Sequence, residues 1–216
     1  MLAWSFSQVS NKIKNYTAFI LCLSFLWGCC DCVPQSKAYE ADQMILVPAG
    51  EFIMGTNKID TEDTHKKIGA VKPLYLDQHP ERKIFLDEYY IDQYEVTNAE
   101  YSHFLEVNQF TDLPAHWQDG VFPKEKGDHP VTQVTWWEAW SYCQSNGKQL
   151  PTEEQWEKAA RGPAGLPFPW GEKYIKGKAN VGIEGDRKTM PVTAYPEDVS
   201  PYKVMGMSGN VMEWTL

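Results

Sequence analysis

The residues able to do chemistry in this 216-residue chain are few and widely spaced. Its five histidines (His65, His79, His103, His116 and His129) include no H-x-x-x-H or H-x-H pair of the kind that holds a transition metal. His79 and His129 each precede a proline, which points to turn positions. Four of the five cysteines crowd the N-terminal region, at Cys22, Cys29, Cys30 and Cys32, and only Cys143 lies in the body of the chain. Cys29 and Cys32 form a C-x-x-C, but without a second pair or a strand–helix context that spacing is weak evidence for zinc or redox work. The adjacent acids Glu153 and Glu154 open an expected helix, where they complement the dipole rather than act as an acid–base pair. No Gly-rich phosphate loop follows a strand and no G-x-S-x-G elbow occurs. The residues on their own therefore display no catalytic group.

Composition narrows the class. The net charge is −9 and no basic stripe is present, which argues against nucleic acid as a partner. Nine Trp and eleven Tyr beside 14 Pro and 15 Gly are wrong for a helical bundle; they predict a loop-rich α+β domain pinned by large rings. At the N-terminus, Lys12 and Lys14 precede the apolar run "YTAFILCLSFLW" (residues 16–27), which reads as a signal peptide over residues 1–29. It closes on "LWGC", similar to a bacterial lipobox, with Cys29 as the residue to be lipidated and Trp27 bulky for its slot. Export to the cell envelope follows, either membrane-held by a lipid anchor or periplasmic. Residues 30–43 are a polar linker and residues 44–216 the folded domain.

Within that domain, "MILVPAGEFIMGT" (44–56) reads as strand, bend, strand, and "RKIFLDEYYIDQYEVT" (82–97) as two more strands. Residues 57–72 read as an exposed loop. Three helix starts share one device. "TNAE", "TWWE" and "TEEQ", beginning at Thr97, Thr135 and Thr152, each fit a capping box. Apolar spacing places Tyr101, Phe104 and Leu105 on one face, then Trp136, Ala139, Trp140 and Cys143, then Trp156, Ala159 and Ala160. The second helix should stop at Asn146-Gly147. Beyond Arg161 the density of Gly and Pro leaves room for short strands only, and so long an irregular stretch is usually functional or tied down by an ion.

Taken in order, "MILVPAGEFIMGT", "YYIDQYEVTNAEYSHFL", "HPVTQVTWWEAWSYCQSNGKQLPTEEQWEKAARGP", "FPWGE", "PVTAYP" and "GNVMEWT" resemble the formylglycine-generating enzyme, or sulfatase-modifying factor, family. The resemblance implies an irregular C-type-lectin-like fold with little regular secondary structure. It also implies an activity, the oxidation of a cysteine in a sulfatase to formylglycine, by oxygen and a copper ion held on two thiolates. No residue of this chain matches that cysteine pair, which in the family follows the "GN-x-x-EWT" motif. The expectation is a domain truncated at its C-terminus and inactive as it stands, with copper relevant only if a further segment exists. Cys143 matches a position that in some members is disulfide-bonded to a later cysteine. For structural calcium the resemblance implies Asn180, Val181 and, more loosely, Asp186 at one site, and Gly209, Val211 and Glu213 at a second. Gly206 stands where the family usually offers Asn or Asp, and a plain buried hydrogen-bonded role for Glu213 stays open. Two functions remain: an exported oxidase of this type acting on a protein substrate, or a non-catalytic lectin-like binding module.

Overall fold

The computed structural model describes residues 2–3, 6–7, 43–61, 75–181 and 188–216. The apolar N-terminal run, Cys29, the linker up to residue 42, most of the loop expected at 57–72, and Asp186 lie outside the described residues. In chain order the strands are β1 (Leu2–Ala3), β2 (Phe6–Ser7), β3 (Met44–Val47), β4 (Gly50–Met54), β5 (Arg82–Leu86), β6 (Tyr89–Asp92) and β7 (Glu213–Trp214). The helices are α1 (Asn98–Asn108), α2 (Trp136–Ser145) and α3 (Glu153–Arg161), with single 3-10 turns at Leu76–Gln78 and Lys124–Lys126. Between α3 and β7 there is no strand or helix among the described residues, as the Gly and Pro density requires.

The sheets are small: β2-β6-β3 is antiparallel throughout, β4 pairs antiparallel with β5, and β1 pairs parallel with β7. The expected strand–bend–strand at 44–56 is present, yet its arms join different sheets. Lys158 explains the break. Its buried ammonium donates to the carbonyls of Pro48 (2.8 Å) and Gly50 (3.0 Å), fixing the bend and turning β4 away from β3.

All three helices start as the sequence dictates. Thr97, Thr135 and Thr152 are N-caps, and each makes both halves of the capping box with Glu100, Glu138 and Gln155. Helix α2 stops at Asn146, and Gly147 follows in the left-handed region at φ +67°. The buried faces are those the spacing gave. Tyr101, Phe104 and Leu105 of α1 pack with Ala139 and Cys143 of α2 around Leu150. Ala159 and Ala160 of α3 pack with Val47, Ile91, Val204 and Met207 in a second cluster. Val204 and Met207 flank Gly206, so the long irregular segment is anchored in the core where the site lies.

Candidate cation-holding turn

The turn from Met205 to Glu213 is built by local bonds and then locked to the sheet. Ser200 exchanges backbone bonds with Val204 and Lys203, and its hydroxyl accepts from the Val204 amide at 3.1 Å. The Met205 amide then donates to Gln93 (2.8 Å), just beyond β6, and the Gly206 amide donates to the Asp198 carbonyl (3.0 Å). Gly206 sits at φ +72°, a conformation glycine adopts without strain. At Gly209 the reason for glycine is contact. A Cβ there would lie 2.5 Å from the Asn180 carbonyl oxygen, which accepts from the Asn210 amide at 2.9 Å.

Asn210 ties four segments together. Its Oδ1 accepts from Asn180 Nδ2 (3.0 Å) and the Met190 amide (2.8 Å), while its Nδ2 donates to Glu95 Oε2 (2.8 Å) and the Met190 carbonyl (3.1 Å). Glu95, two residues before the cap of α1, is brought beneath the turn by β6. Asp198 meets the turn from the other side, its Oδ2 accepting from the Ser208 amide at 3.3 Å. Both acids are 2% exposed, and Glu95 Oε1 and Asp198 Oδ1 are buried with no hydrogen-bond donor. Glu213, half-buried on β7, accepts from the Trp156 indole. Burial, followed by the charges of Glu213 and Asp198, holds the Glu95 carboxyl well above the usual carboxylate range, although Asn210 and the Val211 amide pull the other way. Burial likewise pushes Asp198 up to about 6. Three acids thus face one turn with no basic side chain among the charges acting on Glu95.

Residues 31–216 match the sulfatase-modifying factor enzyme 1-like domain family. The chain belongs to that family. It is 31% identical to the uncharacterized protein YfmG of Bacillus subtilis, over 85% of this chain and 44% of that protein. It is also 31% identical to the formylglycine-generating enzyme of Bos taurus, over 85% of this chain and 60% of the enzyme. The inactive C-alpha-formylglycine-generating enzyme 2 of Bos taurus is 28% identical, over 80% of this chain and 69% of that protein. The chain spans less than two thirds of the length of the first two of these relatives.

For a sulfatase-modifying-factor domain, the predicted ligand residues fall in two groups that touch. Asn180 and Val181 stand against the Gly209–Glu213 turn through the Asn180–Asn210 pair. The Asn180 side-chain nitrogen also donates to the Lys188 carbonyl (2.9 Å). Within the turn, the Gly209 carbonyl accepts from the Val211 amide at 2.8 Å. Glu213 is hydrogen-bonded by Trp156, the plain role left open by the sequence, so its carboxylate is at least partly committed. Among the described residues no three His, Cys, Asp or Glu side chains form a metal-holding group, and a cation here would need carbonyls and water as well. The sequence reading missed Glu95 and Asp198. No local signal marked them: Glu95 shares "YYIDQYEVT" with Asp92, and acids are mostly exposed.

Cys143 is 0% exposed at the centre of the α1–α2 cluster, and burial raises its thiol to about 12. It makes no disulfide among the described residues. His129 holds Thr189 through Nδ1 (3.0 Å) and accepts the Asn98 amide on its carbonyl (2.9 Å), the turn role its proline neighbour suggested.

Proposed function

We propose that residues 44–216 are the scaffold and cation-holding part of an exported formylglycine-generating-type domain with a C-type-lectin-like arrangement, and that they supply no copper site of their own. The observation that carries this is Cys143. Copper(I) of the formylglycine type needs two accessible thiolates, and the only cysteine in these residues is a buried thiol with a raised pKa. At neutral pH such a group is neither ionised nor reachable. Calcium fits better: the residues about this turn offer backbone carbonyls, an amide oxygen and carboxylates, and hard oxygen donors are what that ion takes. When bound, calcium would supply positive charge against the buried acids and fix the turn. The partner is a protein, sulfatase-like if the full domain is catalytic, and Cys29 would carry a lipid anchor to the membrane.

Copper titration tests this reading. A full chain with Cys22, Cys29, Cys30 and Cys32 changed to Ser should bind no stoichiometric Cu(I) in competition with a chelating dye. One tightly held equivalent would overturn it. A second reading, a non-catalytic binding module, is supported by Trp137. This ring is 69% exposed on α2, edge-on to Trp136 and Trp140.

A further inference from the structure

The β4–β5 pair has two outer edges, and the described residues cover one of them. On the β4 side the Ile53 amide donates to the Pro163 carbonyl (3.2 Å), and a Cβ on Gly165 would lie 2.7 Å from the Ile53 carbonyl oxygen. The chain beyond α3 therefore lies along that edge. In the antiparallel register Ile53 stands opposite Lys83, and Glu51 opposite Phe85. Because the Ile53 amide points away from β5, these are the pairs that exchange no ladder bonds. The backbone groups of Lys83 and Phe85 then point off the far side of β5. No backbone bond outside the β4–β5 ladder reaches either residue among the described residues. Phe85 is 61% exposed on the same strand, and an open edge carrying an exposed ring is a template for pairing.

The sequence along this edge is its own complement. "RKIFLDE", from Arg82 to Glu88, runs from two bases through three apolar residues to two acids. Laid antiparallel on itself about Phe85, it sets Arg82 against Glu88, Lys83 against Asp87 and Ile84 against Leu86. An axis falling between two residues would oppose an outward-pointing residue to an inward-pointing one, and no ladder would form. Moving the axis to Ile84 or Leu86 separates the charge pairs. Arg82, Lys83, Asp87 and Glu88 are exposed, and none makes an ion pair among the described residues. Arg82 Nη2 rests on the Met54 sulfur at 3.2 Å, a weak acceptor. We propose that a second copy of this chain docks on β5 about a two-fold axis at Phe85, joining the two β4–β5 pairs into one continuous antiparallel sheet. The two Phe85 residues exchange both backbone bonds. Lys83 meets the partner's Asp87 on the outer face, opposite the face where Phe52 is buried. The contact uses no residue of the Met205–Glu213 turn and does not depend on what that turn holds.

Sedimentation velocity of the full chain over a concentration series, under reducing conditions, tests this. The parent should dimerise. Lys83→Asp and Asp87→Lys should each weaken dimerisation about tenfold or more, because symmetry places like charges together twice. The double variant K83D/D87K should restore it, since the pairs re-form with their signs exchanged. A general effect of net charge would instead move the two single variants in opposite directions and overturn the proposal. All the altered side chains are exposed, so the far-UV circular dichroism of each variant should match the parent. A parent that is monomeric at every concentration overturns the proposal, and slow hydrogen exchange at the Phe85 amide of that monomer would mean that another segment of the chain covers the edge. A dimer on which neither single variant acts overturns it as well.

Discussion

Removing the Asn210 side chain is the sharpest perturbation of this site, because one amide joins Glu95, Asn180 and Met190 to the turn. Its four hydrogen bonds are not equal. The two to Met190 lie near solvent, where water can replace the lost partner, and count for about 0.5 kcal/mol each. The bonds to Asn180 and Glu95 are partly buried, and breaking them removes one of the two acceptors of Asn180 Nδ2 and the donor to Glu95 Oε2, about 1 kcal/mol each and more if no water enters. Asn210→Gly should therefore destabilise the domain by about 3 kcal/mol. Asn210 also sits at φ +64°, where an alanine Cβ meets its own backbone and asparagine is comparatively tolerated. Asn210→Ala should cost about 1 kcal/mol beyond the glycine variant. Urea unfolding with an unchanged slope measures both. A loss under about 1 kcal/mol for the glycine variant, or alanine equal to glycine, would refute the reasoning that Asn210 joins the segments in a left-handed turn.

Other outcomes follow from the same geometry. Thr97 is buried while Thr135 is exposed, though both cap helices with a full box; Thr97→Ala should cost nearer 2 kcal/mol and Thr135→Ala nearer 1 in chemical denaturation. Gly165→Ala puts a Cβ 2.7 Å from the Ile53 carbonyl and should lower stability by more than 2 kcal/mol, whereas Gly147→Ala meets nothing within 4 Å and should cost only its left-handed strain, about 1. Folding raises the Cys143 thiol from 9.0 to about 12, so the folded state keeps its proton while the unfolded chain loses it above pH 9. The stability advantage of the parent over Cys143→Ala should then shrink by about 1.4 kcal/mol between pH 8 and pH 10, read as a difference of urea midpoints. An advantage that stays constant with pH would mean the thiol is not held neutral.

What the sequence made legible was what is local. The three capping boxes are complete within four residues each, and the helix faces follow from 3.6-residue spacing, so Thr97, Thr135, Thr152, Tyr101 and Cys143 fell where expected. The bend at Pro48 was visible, but the separation of β3 from β4 depends on Lys158, more than a hundred residues away. The site was half legible for the same reason. "GNVMEWT" marked the turn, while the Glu95–Asn210 contact spans 115 positions and the Trp156–Glu213 contact spans 57. Gly206 looked like a lost ligand in the one-dimensional reading. In three dimensions its bare Cα faces the Glu95 carboxylate while its amide donates to the Asp198 carbonyl, an arrangement no spacing rule reports.

The function proposed for residues 44–216 is to hold calcium while offering copper no thiolate pair. Metal content per chain, measured by plasma mass spectrometry after dialysis against both ions, tests this most directly, using the full chain with its four N-terminal cysteines changed to Ser. Calcium should be retained stoichiometrically and copper should stay at background. Copper at one equivalent with calcium at background would contradict it.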